Sequence, residues 1–197
     1  EALKLIECPR DAMQGIHTFI PTDVKVRYLN EVLRVGFDTI DIGSFVSPKA
    51  IPQLADTAEV LSRIDLSTTR SKLLVIVANE RGAEQACAQE GVRYLGYPFS
   101  ISETFQQRNT NTSIEGSWGR TANIAELARK ADKEFVVYIS MAFGNPYGDP
   151  WNAEVALHWT DRLVNELGVR IISLADTVGV AEPEDVRSMF AALVPAA

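Results

Sequence analysis

The chain has 197 residues, of which 46% are hydrophobic and 23% charged, a composition ordinary for a globular protein with a substantial core. Its formal net charge of −7, with no block of basic residues, argues against nucleic acid and gives no electrostatic support for membrane binding. Two cysteines, Cys8 and Cys87, are too few for a disulfide scaffold, and their apolar surroundings predict reduced, buried thiols.

The predicted location of the protein is the cytoplasm, because reduced thiols suit a reducing compartment. No apolar run reaches the length of a transmembrane helix, and no secretory signal sequence opens the chain. The first residue is Glu1 rather than methionine, so a removed targeting segment stays open as an alternative.

Short apolar runs rich in β-branched residues alternate with stretches of helical period, which is typical of repeated βα units on a parallel sheet. We count six units, with predicted strands at Lys4–Cys8, Thr39–Gly43, Lys72–Val77, Tyr94–Ser100, Phe135–Met141 and Arg170–Leu174. No linker or charge block divides the chain, so we expect a single catalytic domain over residues 1–197.

Several helices carry predicted ends and apolar faces. Thr22 is expected to cap the first long helix and Gly36 to end it, whereas Asp149 and Pro150 are expected to start a later helix that ends at Gly168. The last helix is predicted to begin near Pro183. The predicted buried faces are Val24, Tyr28, Leu29, Val32 and Leu33; Leu54, Ala58, Leu61 and Ile64; Val155, Trp159, Leu163 and Leu167; and Val186, Met189, Phe190 and Leu193.

An open doubly wound sheet and a (β/α)8 barrel both produce this alternation. No Gly-x-Gly-x-x-Gly motif follows the first strand, which weakens the case for a dinucleotide-binding sheet. Polar residues lie at the ends of the predicted strands or just after them: Asp11, Asp41, Ser44, Asn79, Ser100, Ser102, Asn145 and Asp176. Because the carboxyl ends of barrel strands meet at one mouth, this pattern favours an α/β fold, a (β/α)8 TIM barrel, of which this chain shows about six βα units.

Asp11, Asp41 and Asp176 would place three carboxylates around that mouth. Such a cluster must be relieved by a bound cation, by Arg10 or by protonation, and a divalent metal is the simplest answer. Arg10 could then stabilise negative charge that develops on an oxygen such as an enolate, and Gln14 could orient a group through its amide. The alternative for each carboxylate alone is a helix cap or a surface salt bridge.

Five segments together resemble the 3-hydroxy-3-methylglutaryl-CoA lyases, a family of metal-dependent barrel lyases. They are residues 8–14 (CPRDAMQ), 44–49 (SFVSPK), 100–105 (SISETF) with Asn109 and Asn111, 138–147 (YISMAFGNPY) and 173–179 (SLADTVG). The resemblance implies cleavage of a CoA thioester substrate, 3-hydroxy-3-methylglutaryl-CoA, into acetyl-CoA and acetoacetate with Mg²⁺ or Mn²⁺, as in leucine degradation and ketone body formation. A homodimer is compatible with these expectations.

By the matching positions, the resemblance implies a metal ligand at Asp11 and catalytic roles for Arg10, Asp41 and Asp176. It implies substrate contacts from Arg10, Gln14, Ser44, Ser102, Tyr138 and Thr177. Two departures from the family pattern stand out: Ala12–Met13 replaces Gly-Leu, and Asp41 stands where the family usually has glutamate.

The chain stops after its sixth unit, without the His-x-His metal pair and the catalytic cysteine that the family supplies from its last two units. We therefore expect these residues to be part of a longer enzyme. Two other hypotheses stay open: a related synthase that condenses acetyl-CoA with a 2-oxo acid, and a non-catalytic, truncated chain.

Overall fold

The computed structural model describes residues 3–67 and 69–196. Six strands lie in this part of the chain: β1 Ile6–Glu7, β2 Thr39–Ser44, β3 Lys72–Ile76, β4 Val92–Ser100, β5 Glu134–Ser140 and β6 Ile171–Leu174. The α-helices are α1 Pro9–Gln14, α2 Thr22–Val35, α3 Thr57–Arg63, α4 Glu80–Cys87, α5 Glu103–Thr110, α6 Ile114–Lys130, α7 Ala153–Leu167 and α8 Pro183–Leu193. Short 3-10 helices cover Pro52–Leu54 and Val194–Ala196. None of the described helices is both long and apolar enough to cross a membrane.

The chain divides into two compact units, one of Glu1–Gly96 with Leu127–Glu134 and the other of Tyr97–Glu126 with Phe135–Ala197. In the first unit, β1 pairs with β2, β2 with β3 and β3 with β4, all in parallel. In the second unit, β5 pairs in parallel with β6. The predicted succession of parallel βα units is therefore confirmed.

The strand β2 is buried along its whole length, as parallel strands covered by helices usually are. Its apolar residues Ile40 and Ile42 are 0% and 3% exposed, and Leu73, Leu74 and Val75 of β3 are equally inaccessible. Burial on both faces explains why these strands read as continuous apolar runs in the sequence. It also means that the carboxylate of Asp41 lies inside this layer.

The buried face of α2 differs from the prediction at two positions. Val24 and Tyr28 are 39% and 46% exposed. Lys25 is 2% exposed instead, because its Nζ lies 2.7 Å from Oδ1 of Asp56. The predicted burial is confirmed for Leu29, Val32 and Leu33.

The other predicted apolar faces are also partly wrong. Around α3 the buried residues are Leu54, Thr57, Val60 and Ile64, because a 3-10 helix precedes the α-helix and shifts the phase of its buried face. In α7 the buried residues are Ala156, Thr160 and Leu163. In α8, Met189 and Leu193 are buried, whereas Val186 and Phe190 are 38% and 47% exposed.

Two predicted helix starts are wrong. Thr22 is the first residue inside α2 rather than its cap, and its Oγ1 donates to Asp56 Oδ2 at 2.8 Å. The helix α7 begins at Ala153, where the Asn152 side chain accepts a hydrogen bond from the backbone N–H of Val155. Asp149 does not cap this helix, because its carboxylate is occupied by hydrogen bonds elsewhere in the second unit.

The predicted helix ends are confirmed. Gly36 and Gly168 end α2 and α7 with φ angles of 89° and 67°, the left-handed region that glycine adopts without steric cost. Pro183 occupies the first turn of α8, as predicted.

The two cysteines are free thiols. Cys87 is half-buried, and its Sγ lies 3.8 Å from the carbonyl oxygen of Leu127. Cys8 is exposed, so its predicted burial is wrong. Cys8 was expected to end a buried strand. The strand β1 ends at Glu7 instead, and Cys8 lies at the start of α1, where its side chain reaches solvent.

Candidate active site

Arg10 extends from α1, the short helix that directly follows β1. Pro9 starts this helix, since its fixed φ suits the first helical position. The guanidinium of Arg10 donates hydrogen bonds to Asp41 on β2. Its Nε lies 3.0 Å and its Nη2 2.6 Å from Oδ2, and Nε also lies 3.2 Å from Oδ1. This contact of a planar cation with both carboxylate oxygens fixes the orientation of the guanidinium.

Asp41 is a buried carboxylate with a side chain only 1% exposed. Burial raises the pKa of Asp41 above its usual value, and the hydrogen bonds and charge of Arg10 offset part of that rise. The neighbouring charge of Asp11 raises the pKa of Asp41 further. Arg10 is therefore the group that makes an ionised Asp41 tolerable in this layer.

The same guanidinium joins two further predicted site residues. Nη1 of Arg10 lies 3.0 Å from Oδ1 of Asp11 and 3.0 Å from Oε1 of Gln14. The Asp11 side chain is 70% exposed, in contrast to Asp41. The structure thus brings Arg10, Asp11, Gln14 and Asp41 together, with one carboxylate inside the fold and one open to solvent.

A metal centre needs several hard ligands around one point. In residues 3–67 and 69–196, no group of three or more His, Cys, Asp or Glu side chains is arranged to hold a metal ion. Asp11 offers exposed carboxylate oxygens at the end of β1, but one such residue is not a complete metal site. The structure shows Arg10 in contact with both Asp11 and Asp41, which is one of the predicted ways to relieve their charge.

Ser44 lies at the end of β2 in the same unit and is 3% exposed. Its Oγ accepts a hydrogen bond from the backbone N–H of Val46, and its own N–H donates to Oγ1 of Thr57. Ser44 also lines a cavity of about 330 Å³ together with residues of α3 and the start of α4, among them Asn79. Asn79 caps α4 by accepting from the N–H of Gly82.

Ser102 lies in the second unit, where it caps α5. Its Oγ accepts from the N–H of Phe105 at 3.1 Å and donates to Oδ2 of Asp149 at 2.5 Å. Asp149 also accepts from the N–H and the hydroxyl of Thr104. The hydrogen bond from Ser102 is the largest cause that lowers the pKa of Asp149, followed by the Thr104 N–H. The Ser102 hydroxyl is therefore occupied within the fold.

The remaining predicted site residues follow β5 and β6 or lie on them. Tyr138 is half-buried on β5. After β6, the Asp176 carboxylate accepts hydrogen bonds from the N–H groups of Val180 and Ala181, both at 3.0 Å. Asp176 is exposed and holds its own loop in shape. The Thr177 hydroxyl accepts from the N–H of Met141 at 2.8 Å.

Met141, just past β5, has a φ of 62° although it is not glycine. Its side chain is 1% exposed, and the bond from its N–H to Thr177 is one of the contacts that hold this backbone. Non-glycine residues in this region store strain and cluster at functional sites. Sequence reasoning missed this residue, because methionine carries no sequence signal for a left-handed conformation.

Sequence reasoning also missed Asp149 as the link between α5 and the segment after β5. The pair Asp149–Pro150 imitates a helix start, which concealed it. Asn152, three residues before Val155, was the signal for the true cap.

Comparisons with known proteins identify relatives along almost the whole chain. The HMGL-like family model matches residues 3–196. The cytoplasmic 3-hydroxy-3-methylglutaryl-CoA lyase of Rattus norvegicus is 34% identical over 191 residues, which cover 96% of this chain and 55% of that protein. This chain therefore spans about half the length of that relative.

Solved structures agree with these sequence relations. The HMG-CoA lyase of Bacillus subtilis superposes with a TM-score of 0.91 at 33% identity, covering 98% of this chain and 64% of that one. An HMG-CoA lyase from Acinetobacter baumannii was solved with coenzyme A and 3-methylmalate. It gives a TM-score of 0.91 at 29% identity, covering 98% of this chain and 63% of that one. The predicted α/β fold, part of a TIM barrel, is confirmed.

Proposed function

Because the chain belongs to the HMGL-like family, we propose that the full-length protein is a carbon–carbon lyase that cleaves 3-hydroxy-3-methylglutaryl-CoA into acetyl-CoA and acetoacetate. The name of the rat relative and the coenzyme A bound to the Acinetobacter enzyme support this proposal. We also propose that residues 1–197 form part of one catalytic barrel domain.

The observation that carries the proposal is the position of Arg10. It follows β1, and its guanidinium is held by the Asp41 carboxylate on β2. In the proposed reaction, the 3-hydroxyl group loses its proton and the bond between C2 and C3 breaks. The electron pair moves onto the thioester carbonyl as an enolate, which takes up a proton to give acetyl-CoA. An oriented cation beside that oxygen stabilises the charge as it develops.

Within this proposal, Asp41 acts as a positioning residue. Both of its oxygens accept hydrogen bonds from Arg10, and its side chain is buried. Proton transfer is the other role that the family resemblance implies for Asp41. The two-point contact with Arg10 favours positioning, because it is this contact that fixes the cation.

We propose that five further residues contact the substrate: Gln14, Ser44, Ser102, Tyr138 and Thr177. We also propose a catalytic role for Asp176. Gln14 has the most direct support, since it contacts Arg10. Ser44, Ser102 and Thr177 use their hydroxyl groups within the fold, which supports a role in shaping their loops.

We propose that the full-length protein uses a divalent metal ion, Mg²⁺ or Mn²⁺, with Asp11 as one of its ligands. The exposed Asp11 carboxylate supports this role. The described residues do not complete a metal site around Asp11, so the roles proposed for Arg10 and Asp41 rest on their own contacts.

The test is release of acetoacetate by the full-length protein with 3-hydroxy-3-methylglutaryl-CoA and saturating Mg²⁺. Arg10→Lys keeps the charge but loses the two-point contact, and we expect a fall in kcat/KM of about 10²- to 10³-fold. Arg34→Lys, at an exposed pair with Glu31, is the matched control and should leave turnover unchanged. No acetoacetate from the wild-type protein would contradict the proposed function.

A location in the cytoplasm and a homodimer remain proposals as well. The name of the rat relative supports the location. Analytical ultracentrifugation of the full-length protein measures the oligomeric state directly.

A further inference from the structure

The side chain of Gln53 holds the irregular segment between α1 and α2, residues 15–21. Gln53 lies in the 3-10 helix Pro52–Leu54 and is 5% exposed. Its Oε1 accepts from the N–H of Ile20 at 2.8 Å, and its Nε2 donates to the carbonyl oxygens of Ile16 at 2.8 Å and Thr18 at 3.0 Å. One buried amide thus satisfies three backbone groups that no regular element pairs.

Gln53 is itself held in place by a buried ion pair. Lys25 Nζ donates to the carbonyl oxygen of Gln53, lies 2.7 Å from Asp56 Oδ1 and sits 4.2 Å from the centre of the Phe19 ring. The other oxygen of Asp56 accepts from the hydroxyl of Thr22. Lys25 therefore holds the backbone of Gln53, the residue whose side chain holds residues 15–21.

The segment that Gln53 holds continues directly from α1. The N–H of Ile16 donates to the carbonyl oxygen of Met13, and the carbonyl oxygen of Ile16 accepts from Gln53. A helix of six residues has little stability of its own. The position of α1, and with it of Arg10 and Gln14, therefore depends on such anchors at its ends.

We propose that Gln53 is a positioning residue for the Arg10 site and acts by anchoring the carboxyl end of α1 through residues 15–21. This inference rests on the proposed function. A displacement of about 1 Å at a reacting group can lower the rate on the order of 10²-fold. Gln53 is accordingly needed for full turnover, although its amide is bonded only to backbone groups in the contacts described above.

The experiment replaces Gln53 in the full-length protein. Gln53→Met keeps the volume and removes all three bonds, and we expect kcat to fall at least about tenfold with a smaller change in KM. Amide hydrogen exchange should accelerate at Ile20 and along α1. The matched control is Gln89→Met, which removes an exposed amide that donates to the Gln85 carbonyl oxygen four residues earlier, and it should change neither quantity. Gln53→Glu, which keeps the bond from the Ile20 N–H, is the second variant if Gln53→Met does not fold.

A double-mutant cycle separates positioning from general destabilisation. If Gln53 acts through Arg10, Gln53→Met should lower kcat less than about twofold in the Arg10→Lys background, because the group it positions is already impaired. Equal effects in both backgrounds, or unchanged exchange along α1, would overturn the inference. If the wild-type protein releases no acetoacetate, the proposed function fails, and exchange along α1 in Gln53→Met still decides whether Gln53 anchors that helix.

Discussion

Asp41 and Thr160 show how differently a buried polar side chain can be treated. The Asp41 carboxylate is compensated by three hydrogen bonds from Arg10. In the described residues, the Oγ1 of Thr160 on α7 is a buried side-chain oxygen without a hydrogen-bond partner. An unpartnered buried hydroxyl costs roughly 1–3 kcal/mol of desolvation without a compensating bond.

Thr160→Val should therefore stabilise the protein. Valine has nearly the same shape and helix propensity, so the main change is removal of the unpartnered hydroxyl. We expect the free energy of unfolding to rise by about 1 kcal/mol, measured by urea denaturation of the full-length protein. The matched control is Thr121→Val on α6, whose buried Oγ1 donates to the Ser117 carbonyl, and it should not stabilise. Equal effects of the two substitutions would contradict this account.

Sequence reasoning placed Asp11, Asp41 and Asp176 around one mouth, with Arg10 and Gln14 beside them. The structure brings Arg10, Asp11, Gln14 and Asp41 together, and the place of Asp176 in that cluster stays a prediction. Sequence reasoning succeeded for these four because polar residues after parallel strands converge by topology. It missed Lys25 and Gln53, since their partners come from other elements and a buried lysine contradicts its own hydropathy. The catalytic and metal-binding roles themselves stay predictions.

At the scale of elements, the sequence predicted helix ends better than helix starts. Glycine is favoured after a helix because it adopts positive φ without steric cost, so Gly36 and Gly168 could be predicted as helix ends. A capping residue has competitors: Thr22 and Asp149 both have side chains that can cap, yet each bonds to a more distant partner. Tertiary hydrogen bonds therefore override local cap signals here.

Two glycines in the second unit should respond oppositely to alanine. Gly168 ends α7 with a φ of 67°, and a Cβ there meets no atom within 4 Å, so only the backbone conformation opposes alanine. Gly168→Ala should cost about 1–2 kcal/mol. Gly119 lies within α6 with equally open space, and Gly119→Ala should stabilise by about 0.8–1 kcal/mol through helix propensity. Urea denaturation measures both, and effects of the same sign would refute the argument.

At the scale of the whole molecule, alternation along the chain was enough to predict parallel βα units and all six strand positions. This works because strands such as β2 and β3 are buried on both faces, so their continuous apolar runs differ from the period of amphipathic helices. The buried faces of individual helices were less predictable. Their phase depends on where each helix begins, as the 3-10 helix before α3 shows.

The stability of the molecule should depend on pH through Asp149. Its pKa lies below the usual value because Ser102 and Thr104 donate to its carboxylate, so the ionised form stabilises the fold at neutral pH. This contribution is present above the unfolded-state pKa near 3.8 and is lost as the pH falls through the lower folded-state value. Asp149→Asn should therefore lower the free energy of unfolding at pH 7, by about 1 kcal/mol because the group is near solvent.

The difference between wild type and Asp149→Asn should shrink when urea denaturation is repeated at pH 3. Comparing the two proteins at each pH removes the contribution of Asp41, whose raised pKa acts in the opposite direction in both. Glu90→Gln, an exposed carboxylate on the loop before β4, is the control and should show little difference at either pH. A difference for Asp149→Asn that is as large at pH 3 as at pH 7 would contradict this account, because at pH 3 the unfolded chain binds a proton at Asp149 and the advantage of the ionised carboxylate must already be smaller.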